Sequence, residues 1–151
     1  MRSALRLMFG LWAVCVSLTG CVTVAPLQTP SQRPEVTIAG VTKKEVIDVL
    51  VTEMVASGAQ VRQTNDYTAV FSKRDTSLGG ALVYGSKYDS FPEMRLTFNF
   101  VDTSGGIRVF CNAAMITNPG SAFERVNDVT GGKTAHEMQG MLERLKTALQ
   151  R

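Results

Sequence analysis

The chain has 151 residues, of which 44% are hydrophobic and 19% charged, and carries a formal net charge of +3. Its basic residues never gather beyond a pair (Lys43-Lys44, Lys73-Arg74), so nucleic-acid binding has no electrostatic footprint. Cys15, Cys21 and Cys111 with the single His136 do not make a metal-ligand set, and neither metal nor other cofactor is expected.

The first element is a leader. Arg2 and Arg6 precede an apolar run from Leu7 to Leu18. That run is shorter than the ~20 residues a spanning helix needs, so it reads as a secretory signal. It ends Leu18-Thr19-Gly20-Cys21, which resembles the lipobox of bacterial lipoproteins. The resemblance covers residues 1–21 only. It implies cleavage between Gly20 and Cys21, a diacylglycerol on the Cys21 sulfur and an acylated amino group. Each buried CH₂ contributes ~0.8 kcal/mol, and two or more chains anchor stably where one does not. The mature chain is then expected in the bacterial cell envelope, tethered to a membrane rather than spanning it. Val22 stands where an aspartate would favour inner-membrane retention, which points to the outer membrane, facing the periplasm.

Without its leader the chain is about 130 residues long, the size of one domain. It is nearly neutral, because both leader arginines are gone. With Cys15 removed and Cys21 modified, Cys111 has no intramolecular disulfide partner. Residues 21–40 read as a lipidated N-terminus and tether: Pro26, Pro30 and Pro34 hold such a segment extended. Within it, Glu35–Ile38 suits an edge strand. Residues 41–151 read as a single α+β domain.

Thr42-Lys43-Lys44-Glu45 matches a capping box, with Val41 and Val46 at the staple positions. Ile47, Leu50, Val51 and Met54 follow at helical spacing, and Gly58 suits the stop, predicting a helix over 43–57. Gln60–Thr64 and Tyr67–Lys73 read as a hairpin around Asn65-Asp66.

The clearest strands are Met94–Val101 and Ile107–Thr117. Met94, Leu96, Phe98 and Phe100 form one apolar row; Ile107, Val109, Cys111, Ala113 and Met115 form the other. Cys111 is therefore expected in the core as a small hydrophobe. Both rows face the same side only if an even-numbered residue pairs with an odd-numbered one, which needs an even-length loop or a bulge; a two-residue Ser104-Gly105 loop satisfies this and sets Phe100 opposite Val109. Gly105 is the expected carrier of the positive φ. Ala122–Val129 reads as a short strand or a loop. Thr134-Ala135-His136-Glu137 looks like a second capping box, with Met138, Met141, Leu142, Leu145 and Leu149 as one stripe, predicting a helix over 135–149.

The fold class expected is α+β: an antiparallel meander of four to five strands with the N- and C-terminal helices on one face. The opposite face would carry Arg95, Thr97, Asn99, Arg108, Phe110 and Asn112. Phe110 there is either a solitary exposed aromatic or a partner contact.

No catalytic constellation is visible. Gly132-Lys133-Thr134 matches only the tail of a phosphate-binding loop, and Asn127 stands where the motif needs glycine. His136 falls in the first turn of the expected helix without a partner for acid–base work. The apolar, glycine-rich segment Ser77–Gly85 lies in a long connection, and Leu78, Leu82, Val83 and Tyr84 are candidate contacts for a partner or ligand. The expectation is a non-catalytic binding or assembly module of the envelope, its partner an envelope protein or lipid. The alternative is a small-molecule or lipid carrier, which requires an apolar pocket of several hundred Å³ between sheet and helices.

Overall fold

The computed structural model describes residues 24–74 and 91–151. The elements in chain order are β1 (Glu35–Ile38), α1 (Lys43–Ala56), β2 (Gln60–Thr64), β3 (Thr68–Arg74), β4 (Glu93–Thr103), β5 (Gly106–Thr117), β6 (Arg125–Asp128) and α2 (Gly132–Leu149). The expected leader with its Gly20 and Cys21, and the segment 77–85, lie outside the described residues.

All six strands pair antiparallel in one sheet of order β1-β5-β4-β3-β2, with β6 also on β5. Strand β5 is long enough to hold two short strands end to end along one edge. Strand β1 pairs with 107–110, and β6 pairs with 114–117. The α+β architecture expected from the sequence is therefore the one observed, with the meander β2–β5 at its centre.

Local chemistry accounts for the first helix. Thr42 Oγ1 accepts from the Glu45 amide at 3.2 Å, and the Glu45 carboxylate accepts from the Thr42 amide at 2.7 Å. The bond that the carboxylate accepts from the Thr42 amide, and after it the one from the Thr42 hydroxyl at 2.8 Å, hold the Glu45 carboxyl below its ordinary pKa. Gly58, at φ +85°, turns the chain out of α1 immediately after the Ser57 cap.

The register puts Phe71 beside Leu96, Ala69 beside Phe98, Phe98 beside Cys111, and Phe100 beside Val109. These side chains share one face with Val36 and Ile38 of β1. Val46, Leu50 and Met54 of α1 and Leu142 and Leu145 of α2 close over them to form one core. Both helices thus cover the same face. Phe71 and Phe98 meet edge to face, with centroids 5.7 Å apart.

Three local expectations need correction. Phe100 does pair with Val109 across a Ser104-Gly105 loop, but the positive φ (+122°) belongs to Gly106 and not to Gly105. A Cβ at Gly106 would lie 2.2 Å from the Ile38 carbonyl oxygen, so the close passage of β1 selects glycine there. The second capping box does not form. Helix α2 starts at Gly132 behind an uncapped Gly131, so Thr134 is already inside it. The turn before α2 is fixed earlier: Thr130 Oγ1 accepts from the Ala113 amide at 3.0 Å and donates to its carbonyl at 3.1 Å. The earlier start also moves His136 out of the first turn.

The N-terminal segment packs sooner than an extended tether would. Leu27 and Pro34 are buried, and the Pro34 carbonyl accepts from the Cys111 amide at 3.0 Å. Chain that precedes β1 thereby fills the seam between β1 and β6 along β5.

Candidate functional site

The sheet face away from the helices is a lattice of paired charges. Glu35, only 5% exposed, accepts from Arg108 Nε at 3.0 Å and Nη2 at 2.6 Å, and also from the Ser31 amide at 3.1 Å. The Arg108 guanidinium lies over the Phe110 ring, 4.9 Å from its centroid. Phe110 is consequently half-buried, not a lone exposed aromatic. Arg33 Nη1 donates to the Asn112 side-chain oxygen Oδ1 at 3.4 Å, tying the N-terminal segment to the same face.

A second ion lattice lies at the start of β4. Arg62 contacts one oxygen of the buried Glu93 at 2.7 Å, and Arg95 stands 3.7 Å from both Glu93 and Glu124. Glu93 Oε1 has no hydrogen-bond donor among the described residues. With Arg74, Thr97 and Pro119, these groups line a polar cleft of about 600 Å³.

An apolar cleft opens on the helix side. Met54 and Ser57 from the end of α1, Ala59, Phe71 of β3, Met94 and Leu96 of β4, and Met141 of α2 line about 490 Å³. Its rim is polar: Lys73 and Arg74 close one side, and Lys73 Nζ donates to the Ser57 carbonyl at 2.7 Å. Three methionines in one wall make an adaptable apolar surface, because the unbranched thioether repacks around irregular shapes. The cleft lies where β3 ends and β4 begins. Leu78, Leu82, Val83 and Tyr84 fall in the connection between those strands, outside the described residues.

Cys111 is buried, as expected. Removal from water pushes its thiol up to about 12, and its Sγ lies 3.6 Å from Met138 Sδ of α2. A thiol held neutral in this way packs as a small hydrophobe rather than attacking a substrate. His136 Nε2 lies 2.7 Å from the Ala25 carbonyl oxygen and fastens the N-terminal segment to α2. Lys133, in the first turn of α2 and not in a phosphate-binding loop, faces Glu137 at 3.4 Å. Among the described residues, no three His, Cys, Asp or Glu side chains cluster as a metal site, and no helix is long and apolar enough to cross a membrane.

No protein-family model matches the chain, and comparison with the curated proteins finds no significant relative.

The cleft walls were hidden in the sequence. Met54 and Met141 read there as ordinary members of helix stripes and Met94 as one of a strand row. Only the crossing of α1 and α2 over β3 and β4 brings the three together. Glu35 opens the expected edge strand and Glu93 falls just before the expected Met94–Val101 strand, and neither carries a further signal.

Proposed function

We propose that this protein is a lipid-anchored binding module of the bacterial cell envelope, held to a membrane through Cys21, whose apolar cleft receives an apolar group of an envelope partner. The observation that carries this reading is the 490 Å³ cleft lined by Met54, Phe71, Met94, Leu96 and Met141. Its volume falls within the range of small-ligand sites, and Lys73 and Arg74 bring charge to its rim. The leader and lipobox resemblance supply the location, and the cleft supplies the chemistry.

A second reading, a carrier of a small apolar molecule or lipid chain, is favoured by the same cleft lying between sheet and helices. The two readings separate by what the cleft retains. In-cell photocrosslinking from position 94 or 141 yields one discrete protein adduct for the binding module. For the carrier it yields none, and native mass spectrometry of the purified protein instead shows a bound lipid.

The cleft itself is tested with N-phenyl-1-naphthylamine, a neutral apolar fluorophore. The mature domain is expected to bind it with enhanced emission, and Met94→Glu with Met141→Glu to abolish binding while leaving the melting temperature close to wild type. Both methionines are half-buried, which makes the pair tolerable to the fold. Binding that survives in a folded double variant rules out the cleft as the site.

A further inference from the structure

We propose that the sheet edge formed by β1 and β6, together with the first turn of α2, lies against the lipid bilayer, with the β2 edge turned away from it. The inference rests on Cys21 being the lipid anchor and adds the orientation of the body.

The argument is one of chain length. The Ala25 carbonyl is held by His136 at 2.7 Å, and Leu27 is buried two residues later. From Cys21 to Ala25 is four residues, which reach at most ~14 Å even when fully extended. Ala25 sits with Pro34, Asp128, Thr130 and Ala135 around one hollow at the seam of β1 and β6. The seam therefore cannot stand off the lipid-bearing sulfur by more than that reach. Strand β2 lies four strand spacings away across the sheet, ~19 Å farther.

The side chains at the near edge fit this placement. Val24, Phe123 and Val126 are exposed apolar groups on or beside it. The charges there are of both signs, Arg125 and Lys133 with Asp128 and Glu137, the last paired with Lys133. Apolar tips amid nearly balanced charge suit the headgroup boundary of a membrane. The outer side of β1 is closed to strand pairing at Glu35, whose amide and carbonyl are both taken by the Gln139 side chain. By contrast, β2 is exposed along all five residues. Among the described residues no strand pairs with the outer edge of β2, which lies on the side far from the bilayer.

The test uses the full lipidated protein, reconstituted in vesicles of phosphatidylethanolamine and phosphatidylglycerol that contain a lipid with a nitroxide near its headgroup. An environment-sensitive fluorophore is attached at Lys133→Cys in one variant and at Thr64→Cys in another. Native Cys111 is buried and stays unlabelled. The expected result is quenching at position 133 about threefold or more above that at position 64. Equal quenching, or stronger quenching at 64, overturns the orientation while leaving the anchor intact. Flotation with the vesicles and the mass of the N-terminal peptide are read on the same samples. Protein that neither floats nor carries acyl chains overturns the anchor, and the orientation falls with it.

Discussion

Gln139 of α2 grips the main chain of Glu35 in β1 from both sides: its Oε1 accepts from the Glu35 amide at 2.9 Å, and its Nε2 donates to the Glu35 carbonyl at 3.0 Å. One side chain here supplies the bond pair that a neighbouring strand would supply. It joins the C-terminal helix to the N-terminal strand and blunts the edge against pairing with other chains. Gln139→Ala leaves both main-chain groups without their partner, at a cost of about 1–3 kcal/mol. Urea denaturation of the mature domain measures that cost, and an unchanged midpoint would show that water replaces the amide without loss.

How much of this was readable in advance depends on the range of the interaction. Thr42 with Glu45 is a contact within four residues, and both its capping bonds formed as the spacing required. The Phe100–Val109 register followed from parity together with the choice of a two-residue Ser104-Gly105 turn, since even–odd pairing puts both apolar rows on one face and the turn selects which pair meets. Thr134 with Glu137 has the same local spacing and still fails, because Thr130 is already fixed on Ala113 and the helix starts behind it. The cleft depends on residues 54, 94 and 141 meeting across three elements, which no local pattern encodes.

Gly105 and Gly106 look interchangeable in the sequence but differ in what surrounds them. A Cβ at Gly106 meets the Ile38 carbonyl oxygen at 2.2 Å, whereas one at Gly105 finds nothing nearer than 3.8 Å. Gly106→Ala is expected to force β1 away from β5 and cost about 2–4 kcal/mol, since positive φ adds strain of about 1–3 kcal/mol to the clash. Gly105→Ala is expected to stay within about 0.5 kcal/mol of wild type. Thermal melts of the two variants decide the matter; equal shifts would mean that β1 does not pass where it is placed.

The ion pair of Glu35 with Arg108 has one partner nearly dry and the other about one-third exposed. Taking away the arginine strands a carboxylate that keeps only the Ser31 amide. Arg108→Met is thus expected to cost about 2–4 kcal/mol, somewhat below a fully buried pair because Arg108 is partly solvated. Glu35→Gln/Arg108→Met removes the unpaired charge and should recover part of that loss, as the amide oxygen still accepts from Ser31. Chemical denaturation of the single and double variants gives the coupling. A double variant less stable than Arg108→Met would show that charge burial is not the cause. The same arginine caps Phe110, so the methionine variant should also raise the exposure of that ring to solvent quenchers.

Cys111 links the core to pH. Its native thiol is pushed up to about 12 by burial, against an ordinary value of 9.0 in the unfolded chain. Between those values the unfolded state has released a proton that the folded state retains, so folding is penalised as pH rises. The slope is about 1.4 kcal/mol per pH unit for one proton. Stability from this group is whole below pH 9 and lost progressively up to pH 12. Cys111→Ala lacks the effect, so the difference between the two proteins isolates this thiol. Wild type should be the more stable at pH 8, because the variant loses the contacts of a buried sulfur. Its advantage should shrink by about 1.5 kcal/mol between pH 9 and 10.5. Urea denaturation under reducing conditions at those pH values measures the difference, and a gap that stays constant would mean that the thiol is not shielded from water. Iodoacetamide at pH 8.5 gives an independent reading: alkylation of the native protein should be far slower than that of the unfolded chain, limited by opening of the α2 face over Cys111.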